Sequence, residues 1–107
     1  MKFYRYENVN VYNLGVQVEL RKYRLLKETP KGYWITYYSI GFSGDKRWVS
    51  KNGKNRFAYP TKEEAIFNFK MRKKRQISIL ENRLFDAKIA LNKIEEIENA
   101  NIRYNSR

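Results

Sequence analysis

The chain has 107 residues, with 23 Lys and Arg against 11 Asp and Glu, a net charge of +12, and neither Cys nor His. That excludes disulfides, Cys/His zinc sites, thiol nucleophiles and His-dependent triads. The 42% apolar and 16% aromatic content fits one small folded domain with a thin core rather than a disordered basic tail. Met1-Lys2-Phe3-Tyr4-Arg5-Tyr6 lacks the apolar centre of a signal peptide, and no run approaches the ~20 apolar residues of a membrane span. A soluble cytoplasmic protein without membrane contact is therefore expected.

Alternating aromatics over residues 2–13 suggest an edge strand. Val16, Val18 and Leu20 then alternate with polar residues, and the apolar phase slips to Tyr23 and Leu25. An extra residue near Arg21-Lys22, a β-bulge, would explain the slip. Thr29-Pro30-Lys31-Gly32 has the residues of a tight turn. Tyr33 to Phe42 reads as a second strand, Ser43-Gly44-Asp45 as a turn and Arg47 to Lys51 as a third strand. Asn52-Gly53 carries a hairpin signal, leading to a short strand or a run-in to helix over Arg56 to Tyr59.

Composition changes at Pro60. Beyond it there is no Gly or Pro, and Glu, Lys, Leu, Ile and Ala dominate. Thr61-Lys62-Glu63-Glu64 has the pattern of a capping box, and nothing breaks the helix before about Asn99. The expected fold is α+β, an antiparallel sheet of three to four strands followed by a long C-terminal helix, bent or coiled-coil forming. The division expected is residues 1–76, sheet and first helical turns, and 77–107, a helical extension with a frayed tail. In that extension Ile77, Leu80, Leu84, Ala87, Leu91 and Ile94 recur at spacings of three and four. Two readings are open, a helix laid on the sheet or on a second helix, and a homodimeric coiled coil. Ala65, Ile66 and Phe69 are expected on the sheet.

Catalysis has little support, and no cofactor or metal is expected. The four carboxylates of the sheet half, Glu7, Glu19, Glu28 and Asp45, share no evident site, and acid–base or two-metal chemistry needs carboxylates that converge. Glu95, Glu96 and Glu98 fit a solvated helix face. Binding is better supported. Lys46 to Phe57 interleaves cations with Trp48 and Phe57, and Lys70, Arg72, Lys73, Lys74 and Arg75 make a second basic cluster. Strand alternation sets Arg47, Val49 and Lys51 on one face and Lys46, Trp48 and Ser50 on the other. Trp48 is either a core residue against Phe57 or a stacking platform; Trp34 has the same two roles open to it.

Three strands, then Phe57-x-x-x-Thr61-x-x-Glu64-Ala65 and a helix, resemble the three-stranded DNA-binding domains of plant ethylene-response factors and the arm-binding domains of tyrosine integrases. The resemblance implies a sheet laid in the major groove, a helix backing it, and Arg47, Trp48, Lys51 and Arg56 as reading residues. Glu28-Thr29-Pro30-Lys31-Gly32-Tyr33-Trp34-Ile35, Arg47 to Lys51 and Phe57 to Ala65 also look similar to small accessory proteins of tailed bacteriophages, which implies action in the host cytoplasm. The expected site is Arg47, Trp48, Lys51, Lys54, Arg56, Lys70, Arg72, Lys73 and Lys74 for nucleic acid, DNA or RNA. Ile77, Leu80, Leu84, Leu91 and Ile94 are expected to meet a partner helix. The alternative is an inhibitor or adaptor that binds a host protein, as in anti-defence or transcription takeover.

Overall fold

The computed structural model describes residues 1–37 and 45–105, and their side chains as far as residue 101. Four strands, β1 (Lys2–Val11), β2 (Gly15–Glu28), β3 (Gly32–Tyr37) and β4 (Lys46–Ser50), precede one helix, α1 (Lys62–Asn105). The strands form an antiparallel meander in the order β1-β2-β3-β4. The architecture is α+β, as the change of composition at Pro60 predicts, and residues 2–11 do form the edge strand.

The turns follow from their residues. Asn13 and Gly15 take positive φ (70° and 75°) between β1 and β2, conformations open to Asn and Gly. Between β2 and β3, the Thr29 and Gly32 backbones bond to each other, and the Thr29 hydroxyl adds a bond to the Gly32 carbonyl at 3.1 Å. The β3–β4 connection, and with it residues 38–42 of the expected strand and most of the turn at 43–45, lies outside the described residues.

Two expectations are corrected. No bulge lies at Arg21-Lys22, since β1 and β2 pair without a break from Lys2↔Arg24 to Val11↔Gly15; the irregularity falls between Leu25 and Lys27. The apolar phase shifts because Val16, Val18 and Leu20 occupy the opposite face from Tyr23 and Leu25. Nor does Asn52-Gly53 open a hairpin. The Ser50 hydroxyl accepts from the amides of Asn52 and Gly53, and the Arg56 guanidinium donates to the carbonyls of Lys51 and Gly53. Those bonds turn the chain out of β4, and it runs on to meet β1. There Tyr4 and Tyr59 exchange backbone hydrogen bonds of 2.7 and 2.9 Å.

The sheet thus has an inner face, covered by this returning segment, and an outer one. The core is Phe3, Tyr23, Ile35, Val49 and Ala58, with Leu25, Tyr33 and Phe57 packed against it. Phe3, Ile35 and Val49 are fully buried, each side chain contributing about 1.5–3 kcal/mol. Phe57 meets the edge of Tyr23 at 5.3 Å and lies under the guanidinium groups of Arg5 (4.4 Å) and Arg47 (5.0 Å). Arg5 also donates to the Phe57 carbonyl at 2.7 Å, which fixes the segment over the sheet. The covering element is therefore a loop anchored by Phe57 and Ala58, not the backing helix of the ethylene-response type.

The Thr61 hydroxyl accepts from the Glu64 amide at 3.2 Å and donates to the Glu64 carboxylate at 2.9 Å, so the predicted cap is formed. Ala65 is buried and Phe69 faces Tyr6 with ring centroids 6.5 Å apart, while Ile66 is exposed. The chain divides into two compact units, Met1–Met71 and Arg72–Arg107. The second consists of the rest of α1, which neither bends back nor finds another helix among the described residues. Ile77, Leu80, Leu84, Leu91 and Ile94 are 52–56% exposed within the chain. The described part of α1 is not apolar enough to cross a membrane.

Candidate nucleic-acid interface

Register decides which side chains share a face. Lys2, Arg24, Thr36 and Lys46 form one row across all four strands on the outer face. The next row toward the β2–β3 turn is Lys27, Trp34 and Trp48; on the other side of the first lie Tyr4 and Lys22. Lys2, Lys22, Arg24, Lys27 and Lys46 are all exposed. Thr36, beneath them, is buried.

Trp34 and Trp48 tilt against each other at 5.1 Å and remain 38% and 40% exposed. The Trp48 ring passes so close to Gly32 that a Cβ there would lie 2.6 Å from it. Trp48 thus lies on the face opposite Phe57 and is not packed in the core. Beside the pair, Leu26, Lys27, Trp34 and Lys46 line a depression of about 410 Å³.

Charge is segregated between the faces. All four carboxylates of the sheet half lie on or beside the inner face. Glu7 and Glu19 are direct cross-strand partners there, Glu28 pairs with Tyr33, and Asp45 lines the inner cleft. None lies on the outer face. The inner cleft, about 430 Å³, is bounded by Glu7, Glu19 and Asp45 together with Arg21, Arg47, Tyr23, Tyr37 and Phe57. Three carboxylates with no evident common site in the sequence are thus brought to one cleft. Arginines interleave them, Arg5 pairing directly with Glu7. No group of three acidic side chains suited to a metal ion occurs among the described residues.

The residues expected to read nucleic acid are dispersed. Arg47 pairs with Ile35 on the inner face, over Phe57, while Trp48 is on the outer face, so no single surface presents both. Lys51 bonds the Glu28 carboxylate at 2.9 Å and sits 5.2 Å from the Tyr33 ring. The Glu28 bond is the main cause that raises the Lys51 pKa above 10.5. Arg56 is occupied in holding the loop. Lys54 is exposed on that loop, with its carbonyl 3.5 Å from the Tyr59 hydroxyl. Lys70 and Lys74 are exposed on α1, Arg72 and Lys73 half-buried, with the Lys73 ammonium 3.0 Å from the Gln76 side chain.

Lys2, Lys22, Arg24 and Lys27, on the face of Trp34 and Trp48, are not among the residues expected from the sequence. The signal was alternation: once Lys46 and Trp48 share a face, an antiparallel register carries that face to Thr36 and Trp34 and on to Arg24 and Lys2. The chain matches no protein-family model, no curated protein and no solved structure.

Proposed function

We propose that the chain is a non-catalytic nucleic-acid-binding protein whose contact surface is the outer face of the sheet. The observation that carries this reading is the carboxylate-free face on which five exposed cations surround two exposed indoles. Lysine and arginine neutralise phosphates and release counterions, while indoles stack on bases at about 1–3 kcal/mol each. Of the sequence-derived site, Trp48 stays in this surface; Arg47, Lys51 and Arg56 are replaced by Lys2, Lys22, Arg24, Lys27 and Lys46. Lys54 and Lys70 remain additional phosphate contacts in the proposal. A bacteriophage accessory role in a host cytoplasm is the setting that the sequence resemblance implies for it.

The chain's two tryptophans are both on this face, so intrinsic fluorescence reports on it directly. Titration with single-stranded DNA, single-stranded RNA and duplex DNA is expected to quench that fluorescence, with affinity falling steeply as salt rises. Replacing Arg24 and Lys46 by Gln is expected to flatten the log–log salt slope by about 1.4 to 1.8 units. Lys93→Gln, far along α1, is expected to leave it unchanged. Absence of quenching with all three probes at low salt would overturn the proposal.

A second reading, binding of a host protein, is favoured by a different feature. Residues 8–18 carry no charge in a chain that is 32% charged, and Tyr12, Leu14, Val16 and Val18 of this ribbon are exposed. Beyond Tyr6, the outer edge of β1 has no strand partner among the described residues. An extended segment of a partner could add there as a strand.

A further inference from the structure

We infer that the second unit of the chain pairs with a second copy of itself, and that the two helices run antiparallel about a two-fold axis between Phe85 and Asp86. With Ile77 at heptad position a, the stripe assigns Leu84 and Leu91 to a and Leu80, Ala87 and Ile94 to d. Antiparallel pairing sets a against d of the partner. One register then matches the whole stripe: Ile77 faces Ile94, Leu80 faces Leu91 and Leu84 faces Ala87. Each contact occurs twice by symmetry, so every residue of the stripe gains an apolar neighbour. The Ile and Leu members are 52–56% exposed.

The charges, which played no part in choosing that register, agree with it. The start of the segment is basic, Lys70, Arg72, Lys73, Lys74 and Arg75, and its far end is acidic, Glu95, Glu96 and Glu98. In the antiparallel register the flanking e positions face each other as Lys74 with Glu95 and Glu81 with Lys88. The layer beyond Ile77 sets Lys73 against Glu98. Every one of these contacts is between opposite charges. The g positions bring Gln76 to Ile97 and Arg83 to Ala90, with no like-charge contact. A parallel pair would instead stack Lys73 on Lys73 and Glu98 on Glu98 in the seam, and would set Arg83 beside Lys88. The end-to-end charge asymmetry of α1 therefore selects both the partner, a second copy, and its direction. Phe85 and Ile89 lie at b and f, away from the seam, and take no part.

This inference does not depend on what the sheet binds, and its test needs no nucleic acid. The chain has no cysteine, so single substitutions Ile77→Cys and Ile94→Cys give unambiguous cross-links. The two variants, carrying tags of different size, are mixed and oxidised. A mixed disulfide between positions 77 and 94 is expected to dominate, with little disulfide in either variant alone. Disulfides within each variant alone would show parallel helices and overturn the antiparallel assignment. A monomer by sedimentation at high protein concentration, with no cross-link, would overturn the pairing altogether. Lys74→Glu is expected to weaken the dimer by roughly three- to tenfold, and adding Glu95→Lys to restore it. Failure of the double variant to recover would overturn the register. All four positions are exposed in the second unit, and tryptophan fluorescence from the first confirms that the variants are folded.

Discussion

Gly32 is where the sheet has least room. A Cβ there would lie 2.4 Å from the Val49 carbonyl oxygen and 2.6 Å from the Trp48 ring, although the backbone has no positive φ to demand glycine. Gly32→Ala is therefore expected to cost about 1–3 kcal/mol, as overpacking does, and to displace Trp48. Urea unfolding would give the first quantity, the emission spectrum the second. Two other residues set a pH limit. Burial is the main cause that raises Tyr23 above its ordinary 10.0, and the bond to Glu28 raises Lys51 above 10.5. In both, the folded pKa exceeds the unfolded one. Their stabilisation is thus complete below about pH 10 and is lost as pH rises through the folded values. Melting temperatures between pH 8 and 11 are expected to fall only at the alkaline end, and Tyr23→Phe to blunt the fall.

At the level of elements, what could be foreseen was whatever short-range chemistry decides. The Thr61–Glu64 cap and the Thr29–Gly32 turn are closed by side chains within three residues, and both were legible. Thr61→Ala is expected to cost about 1 kcal/mol in a denaturant melt, the usual worth of such a cap. The Asn52-Gly53 signal failed because a more distant donor, Arg56, holds the Lys51 and Gly53 carbonyls and draws the chain across the sheet. The bulge was misplaced because Val16, Val18 and Leu20 read as sharing one apolar face with Tyr23 and Leu25, when the register sets them on opposite faces. Whether Trp48 faced in or out depended on which segment covers the sheet, and that is decided by Arg5 and Tyr4, more than fifty residues away in sequence. Phe3→Ala should test this arrangement harshly. In so small a core the loss of about 3–5 kcal/mol approaches the whole stability of such a domain, and cooperative unfolding is expected to disappear or shift to very low denaturant.

Across the whole molecule the pattern is separation of charge. The outer face of the sheet has cations without the sheet half's carboxylates, the inner cleft mixes the two, and α1 carries a basic cluster at residues 70–75 and an acidic one at residues 95–98. None of this is visible in the net charge, which only predicts attraction to polyanions. The site could be read from the sequence as a composition, basic and aromatic, but not as a set of residues, because register sorts neighbours such as Arg47 and Trp48 onto opposite sides.

The uncharged ribbon formed by the ends of β1 and β2 has a colloidal consequence. An apolar strand with an open outer edge is a template for stacking identical molecules. Mutual repulsion between chains of charge +12 holds such edges apart only while the ionic atmosphere is extended, since the screening length shrinks from about 10 Å at 0.1 M salt to about 3 Å at 1 M. Light scattering should therefore rise with added sodium chloride, the reverse of the usual salting-in of a basic protein. A lysine in place of Val9, on the exposed end of the edge strand, is expected to suppress it. Polyanions that neutralise the outer face would lower the same barrier, so crowding of many copies along one strand would bring these edges within reach of each other.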